Sequence, residues 1–231
     1  MITIIDNDVI LKLGKWDLIS ELIGITDGEE TIYHLPTCPY VLCPPAHPAK
    51  ALKRCGDQAT IDRVTAFCKM TNPAPEPENF KWLEILNGVP GIDVGEVQIF
   101  TMGIENPESV DFIGDKRSLL ALATSPSALG AFEALKGRVK CLEQVVAEMI
   151  CTCNYGTIAE KVKSCPSADK AISLVFGTSA FQKPENEISE GLLSYYSYLN
   201  DKTLGLLAPF PTAPSITSGV LRTGPEVLLI S

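Results

Sequence analysis

The sequence predicts an α/β protein: a central, mostly parallel sheet flanked by helices in a three-layer, Rossmann-type arrangement, with a helical C-terminal extension. Two observations predict it. Short apolar, β-branched runs of strand length end at polar or acidic residues, and segments with helical spacing of apolar residues follow them. The alternation of strand and helix runs to about residue 150, the pattern of a parallel sheet covered on both faces.

The elements follow in order. "MITII" (1–5) reads as a buried strand, and the segment after it places Val9, Leu13, Trp16 and Ile19 at helical spacing, with Gly14 a candidate break. "TIYHLPTC" is a second strand candidate. "DQATIDRVTAFCKM" carries Ile61, Val64 and Cys68 on one helical face. "PAPEPEN" is a loop, and "FKWLEIL" a helix stopped by Gly88 and Pro90. Val97, Phe100 and Ile104 start a helix near Asp93. "SVDFIG" is a strand, "DKRSLLALAT" and "PSALGAFEALKG" are helices, and "RVKCL" is a strand leading into helical "EQVVAEMI". Beyond these, "DKAISLVFG" and "EISEGLLSYYSYL" read as helices, and "APFPTAPSITSG" as an extended Pro-rich segment. The expected division is an α/β domain over 1–153 and a helical extension with its Pro-rich tail over 154–231.

A chain of 231 residues with 45% hydrophobic and 20% charged residues has the composition of a globular protein with a substantial core. The acid at position 6 interrupts any signal-peptide pattern, and no window approaches ~18 uninterrupted apolar residues, so a cytoplasmic location and no membrane partner are expected. The net charge of −9 excludes a protein coated in nucleic acid through a general basic face, while scattered acids suit a divalent cation. The 8 cysteines lack Cys-x-x-Cys pairing. His34, Cys38, Cys43 and His47 are each able to bind zinc, but the segment "HLPTCPYVLCPPAHP" is stiffened by five prolines and matches no familiar zinc spacing.

In an open parallel sheet, residues just beyond the carboxyl ends of the strands become neighbours. Asp6 and Asp8 follow the first strand, Asp115 follows "DFIG", and Glu96 lies in the first turn of a helix. Crowded carboxylates repel, and bound Mg²⁺ or Mn²⁺ relieves the repulsion, with oxygen ligands favouring those ions over zinc. Capping explains the same residues another way. Asp93 and Glu96 fit a capping box with Ile92 and Val97 as its hydrophobic staple, Asp115 is a good N-cap, and Asp6 could cap its own helix. Against capping alone, "DND" supplies two acids at one junction.

"IIDNDVIL", "IDVGEVQIF" and "DFIGDKRSLLALA" resemble, in order, three signature segments of PIN-domain nucleases, over about residues 1–150. The resemblance implies a PIN-like fold and metal-dependent hydrolysis of RNA or another nucleic acid. Asp6, Glu96 and Asp115 would be the catalytic residues, and Asp6, Asp8, Glu96 and Asp115 would hold Mg²⁺ or Mn²⁺. Lys12, Lys15, Lys116 and Arg117, which follow the acidic junctions closely, are the candidate contacts to substrate phosphates. The sequence departs from the pattern in having no acid in "LPTCPYVLCPP" and in placing Lys116, Arg117 and Leu119 after the late Asp.

Two other readings stand beside this one. A PIN-like module without catalysis would bind a protein partner or a second copy. A haloacid-dehalogenase-type phosphatase would use Asp6 as nucleophile and Asp8 as general acid. With only His34 and His47 in the chain, Ser-His-Asp and Cys-His schemes have little to work with.

Overall fold

The computed structural model describes residues 1–177 and 183–212. Five parallel strands form one sheet: β1 (Ile2–Ile5), β2 (Ile32–His34), β3 (Asn72–Pro73), β4 (Ser109–Ile113) and β5 (Val139–Cys141), in the order β3-β2-β1-β4-β5. The helices α1 (Asn7–Lys15), α2 (Ile19–Gly24), α3 (Cys38–Leu42), α4 (Pro48–Cys55) and α5 (Gln58–Met70) belong to the first crossovers. Then come α6 (Phe80–Asn87), α7 (Val94–Glu105), α8 (Lys116–Thr124) and α9 (Leu129–Leu135). The helices α10 (Leu142–Thr152), α11 (Tyr155–Ser164), α12 (Lys170–Phe176) and α13 (Glu185–Lys202) follow β5. This is the three-layer α/β fold that the alternating pattern predicts.

Alternation along each strand divides the core in two, because successive side chains point to opposite faces of a sheet. Ile5 and Phe112 face one layer, packing with Val9, Leu13, Phe67, Val145 and Met149. Ile4 and Ile113 face the other, with Phe100, Leu119, Phe132 and Leu135. Residues beyond 154 join the first layer: Ile158, Val162, Ile172, Phe176, Ile188 and Leu192 share one apolar cluster with α1. Trp16 is fully buried there, and its Nε1 donates to the Cys165 carbonyl at 2.9 Å.

After α13 the chain returns to the sheet. Leu207 bridges Val139 in parallel register, and the Ala208 amide donates to the Val139 carbonyl at 2.8 Å. Gln144 Nε2 and the Tyr196 hydroxyl both donate to the Ala208 carbonyl. Most of the segment expected to be Pro-rich and extended lies outside the described residues. Among the described residues, no single helix is long and apolar enough to cross a membrane.

Local expectations are corrected in two places. Gly14 does not break α1. A Cβ there would stand 2.9 Å from Val64 Cγ2, so the glycine admits close packing of α5, and the chain turns instead at Asp17 with φ 58°. The second strand candidate ends at His34, and the Pro-rich stretch after it folds into α3 and α4. Each of those helices carries proline in its first turn, where the missing N–H costs no helical bond. The four residues able to bind zinc are not gathered into a metal-binding group among the described residues. His34 Nδ1 meets Thr71 Oγ1 at 2.9 Å, Cys38 lies 3.6 Å from Cys68, Cys43 lies 3.7 Å from Cys55, and His47 is exposed.

Candidate functional site

The strand order turns back between β1 and β4, so the loops leaving the carboxyl ends of these two strands diverge and open a crevice. A cavity of about 820 Å³ lies there. Asp6, Asp8, Glu96 and Asp115 all line it, with Asn7, Lys12, Asp93 and Gln98. Carboxylates from three separate segments of the chain therefore share one cleft.

Asp6 occupies the N-cap position of α1 but does not cap that helix with its side chain. Its Oδ2 instead accepts the Gly114 amide at 3.3 Å, across from β1 to the end of β4. Gly114 has no room for a side chain, since a Cβ would fall 2.3 Å from Asp8 Oδ2. Burial, then repulsion from Asp8, raise the Asp6 pKa to about 6 against the pull of the Gly114 amide.

Asp93 and Glu96 form the capping box that their spacing predicts. Asp93 Oδ1 accepts the Glu96 amide at 2.9 Å, and Glu96 Oε2 accepts the Asp93 amide at 2.8 Å. Glu96 is only 4% exposed even though it borders the cleft. Burial raises its pKa to about 7, with Asp93 and Asp6 adding repulsion. Capping and cleft formation thus coexist in one residue.

The α8 side differs. Asp115 caps α8 by accepting the Arg117 amide at 2.8 Å and is clasped by the Arg117 guanidinium, with Nη2 2.5 Å from Oδ2. Arg117 holds its pKa below the ordinary carboxylate range. Lys12 Nζ lies 2.6 Å from Asp8 Oδ2 and 2.9 Å from Asp169 Oδ2. Burial opposes the charge on Lys12, but these two acids outweigh it and raise its pKa. Lys116 pairs with Glu143, a side chain only 2% exposed. Lys15 lies apart, in a depression with Asp17, Asp57 and Arg63. Of the four expected phosphate contacts, three are engaged by carboxylates of the chain and one lies away from the cleft.

The spacing marks Asp93 as a cap, and Asn7, Glu143 and Asp169 join the surroundings of these acids only in the fold. Asn7 was in view within "DND", and its buried Oδ1 has no hydrogen-bond partner among the described residues. Asp169 caps α12 through the amides of Ala171 and Ile172, so nothing local reveals its pairing with Lys12. Among the described residues, no three His, Cys, Asp or Glu side chains stand in the geometry of a preformed metal site. The carboxylates share a wall rather than a finished coordination sphere. Comparison with family models, with curated proteins and with solved structures finds no match to this chain.

Proposed function

We propose that the cleft binds a divalent cation, Mg²⁺ or Mn²⁺, and hydrolyses phosphodiester bonds of RNA. The observation that carries this reading is Asp6: a buried carboxylate at an N-cap position that reaches across the switch point to the Gly114 amide. With Glu96 it makes a pair of acids whose charged forms are disfavoured by burial and by like neighbours. Nearby positive charge would offset both penalties. The unpartnered Asn7 oxygen and the all-oxygen donor set fit a hard cation.

Asp6 and Glu96 would hold the ion, with Asn7 and Asp93 beside them. The cation would polarise a phosphoryl oxygen and make its bound water more acidic. Glu96, half-protonated near pH 7, is suited to take or return a proton at its carboxylate. Arg117 orients Asp115, and Lys12 orients Asp8, so these two acids act in the outer shell. Because the cation competes with protons on Asp6 and Glu96, uptake should rise as pH passes from about 6 to about 7.

The same two ion pairs favour the second reading, a binding module without catalysis, since they neutralise acids that a fuller metal site would use. Incubating the protein with single-stranded RNA and Mn²⁺ or EDTA, beside Asp6→Asn and a phosphate monoester, separates the possibilities. Cleavage lost in EDTA and in the variant is the expected result. Turnover of the monoester alone would move the cleft to phosphatase chemistry. No calorimetric uptake of Mn²⁺ and no turnover would leave the binding module.

A further inference from the structure

If the cleft cuts RNA, as proposed above, the strand needs positive charge to hold it, and the expected lysines and arginine do not supply it freely. Lys12, Lys116 and Arg117 are each paired with carboxylates. Unpaired cations lie elsewhere. On α4, Lys50, Lys53 and Arg54 are all exposed, and none has a carboxylate in ion-pair range among the described residues.

The helix accounts for this concentration. Ala51 and Cys55 are buried on its inner face, so Lys50 and Arg54, four residues apart, project together outward. Arg54 Nη1 donates to the Val41 carbonyl, which holds the guanidinium at the end of α3. Lys50 and Arg54 line a depression of about 280 Å³ with His47, Tyr40 and Val41. Tyr40 is 69% exposed, an aromatic ring open to solvent in the same depression as Lys50 and Arg54. Like charges at this spacing repel one another, which a polyanion would relieve. Val41 also lines the carboxylate cleft, so the two depressions share a wall.

We propose that the face formed by α4 and Tyr40 grips the phosphate backbone of single-stranded RNA and leads the strand over Val41 into the carboxylate cleft. The cations contact phosphates, and Tyr40 stacks against an unpaired base, the combination by which single strands are held with little sequence preference. On a chain of net charge −9, binding through one local patch is steeply salt-dependent.

The test is fluorescence anisotropy with a labelled oligouridine of about twenty nucleotides, in EDTA so that neither cation nor cleavage contributes. The full chain is compared with the triple variant Lys50→Glu, Lys53→Glu, Arg54→Glu. A control triple, Lys69→Glu, Lys136→Glu, Lys202→Glu, changes net charge equally at exposed sites. The α4 triple should weaken binding by about 10-fold or more and lower the slope of log K against log salt by about 2, with the control changing little. Equal loss in both triples, loss in neither, or no binding by the parent chain overturns the proposal. With Mn²⁺ present, unchanged KM in the α4 triple would overturn this assignment while leaving the nuclease reading intact. RNA bound through α4 but never cut would do the reverse.

Discussion

Asp93 begins α7 and Asp115 begins α8, and each side chain accepts a backbone amide from the first turn of its helix. Their surroundings diverge from there. Beside α7, Asp93, Glu96 and Asp6 have no basic side chain in ion-pair range among the described residues, and the Asp6 and Glu96 pKa values rise to about 6 and about 7. Beside α8, Asp115 has Arg117, Asp8 and Asp169 share Lys12, and Glu143 has Lys116. There Asp115 is depressed by Arg117. Asp169 is also depressed, because the Ile172 amide and Lys12 outweigh its burial. The same capping device therefore serves opposite electrostatic ends: the acids of the α8 side each have a basic partner, one of them shared, and those of the α7 side have none among the described residues.

The contrast is broken or sharpened by four measurements. The largest effect should be on cleavage: Asp6→Asn and Glu96→Gln should each lower Mn²⁺-dependent turnover of single-stranded RNA by roughly 100-fold or more, since outer-shell losses alone reach 10–100-fold. An active Asp6→Asn enzyme would end the assignment of the α7 side.

The second effect is on stability without metal, and its sign is opposite. Above pH 4, the unfolded chain has lost a proton that native Asp6 keeps until about pH 6; for Glu96 the window runs from 4.5 to about 7. The native state binds more protons, so this contribution to stability is present at low pH and lost as pH rises. At pH 8, Asp6→Asn and Glu96→Gln should each stabilise the metal-free protein by about 2–3 kcal/mol, and by little at pH 4. Urea midpoints at the two pH values check this. Asp115→Asn should instead lose stability at neutral pH and converge on the parent in acid.

Third, Lys116→Met strands the buried Glu143, whose Oε2 already has no hydrogen-bond partner among the described residues. Breaking a fully buried pair costs about 3–5 kcal/mol, and the partial exposure of Lys116 brings the expectation to about 2 kcal/mol, read from denaturant midpoints. An unchanged midpoint would show that this pair does not hold the α8 side together. The smallest effect is at Gly114→Ala, where the new Cβ displaces the Asp8 carboxylate. A loss of about 1–2 kcal/mol is expected, with a weaker pull of Lys12 on Asp8. Thermal melts of Gly114→Ala and of Gly114→Ala with Asp8→Ala test that cause, since removing the Asp8 carboxylate, which leaves only its Cβ 2.9 Å away, should recover part of the loss.

Much of this arrangement could be read from the chain, and the parts that could not have physical reasons. β1 is legible because a strand buried on both faces leaves a short apolar, β-branched run, and β4 because Val110, Phe112 and Ile113 give enough of one although Asp111 interrupts it. Asp6, Asp8 and Asp115 follow from the rule that the ends of such strands converge, and Glu96 from its place in a first helical turn and from the PIN-domain resemblance. β3 was not legible: Asn72 and Pro73 carry no apolar signal, and their pairing with Tyr33 and His34 comes from β2. The helices α3 and α4 are hidden in the sequence because their prolines mask the helical pattern, although first-turn proline suits a helix. The lysines following the acids were read as facing substrate, yet proximity to an acid is also what lets Lys12 reach Asp8. Their other partners, Asp169 and Glu143, lie far along the chain, where no spacing rule reaches.

The return of the chain to Val139 also matters for how the molecule meets other molecules. A parallel sheet has two open borders, and any unpaired row of amides and carbonyls invites a stranger's backbone to extend it. One border here is a two-residue strand containing proline, a poor template. The other is met at Val139 by Leu207 and Ala208, so the last described stretch of the polypeptide occupies that end of β5 and leaves less of its backbone open to a stranger's strand.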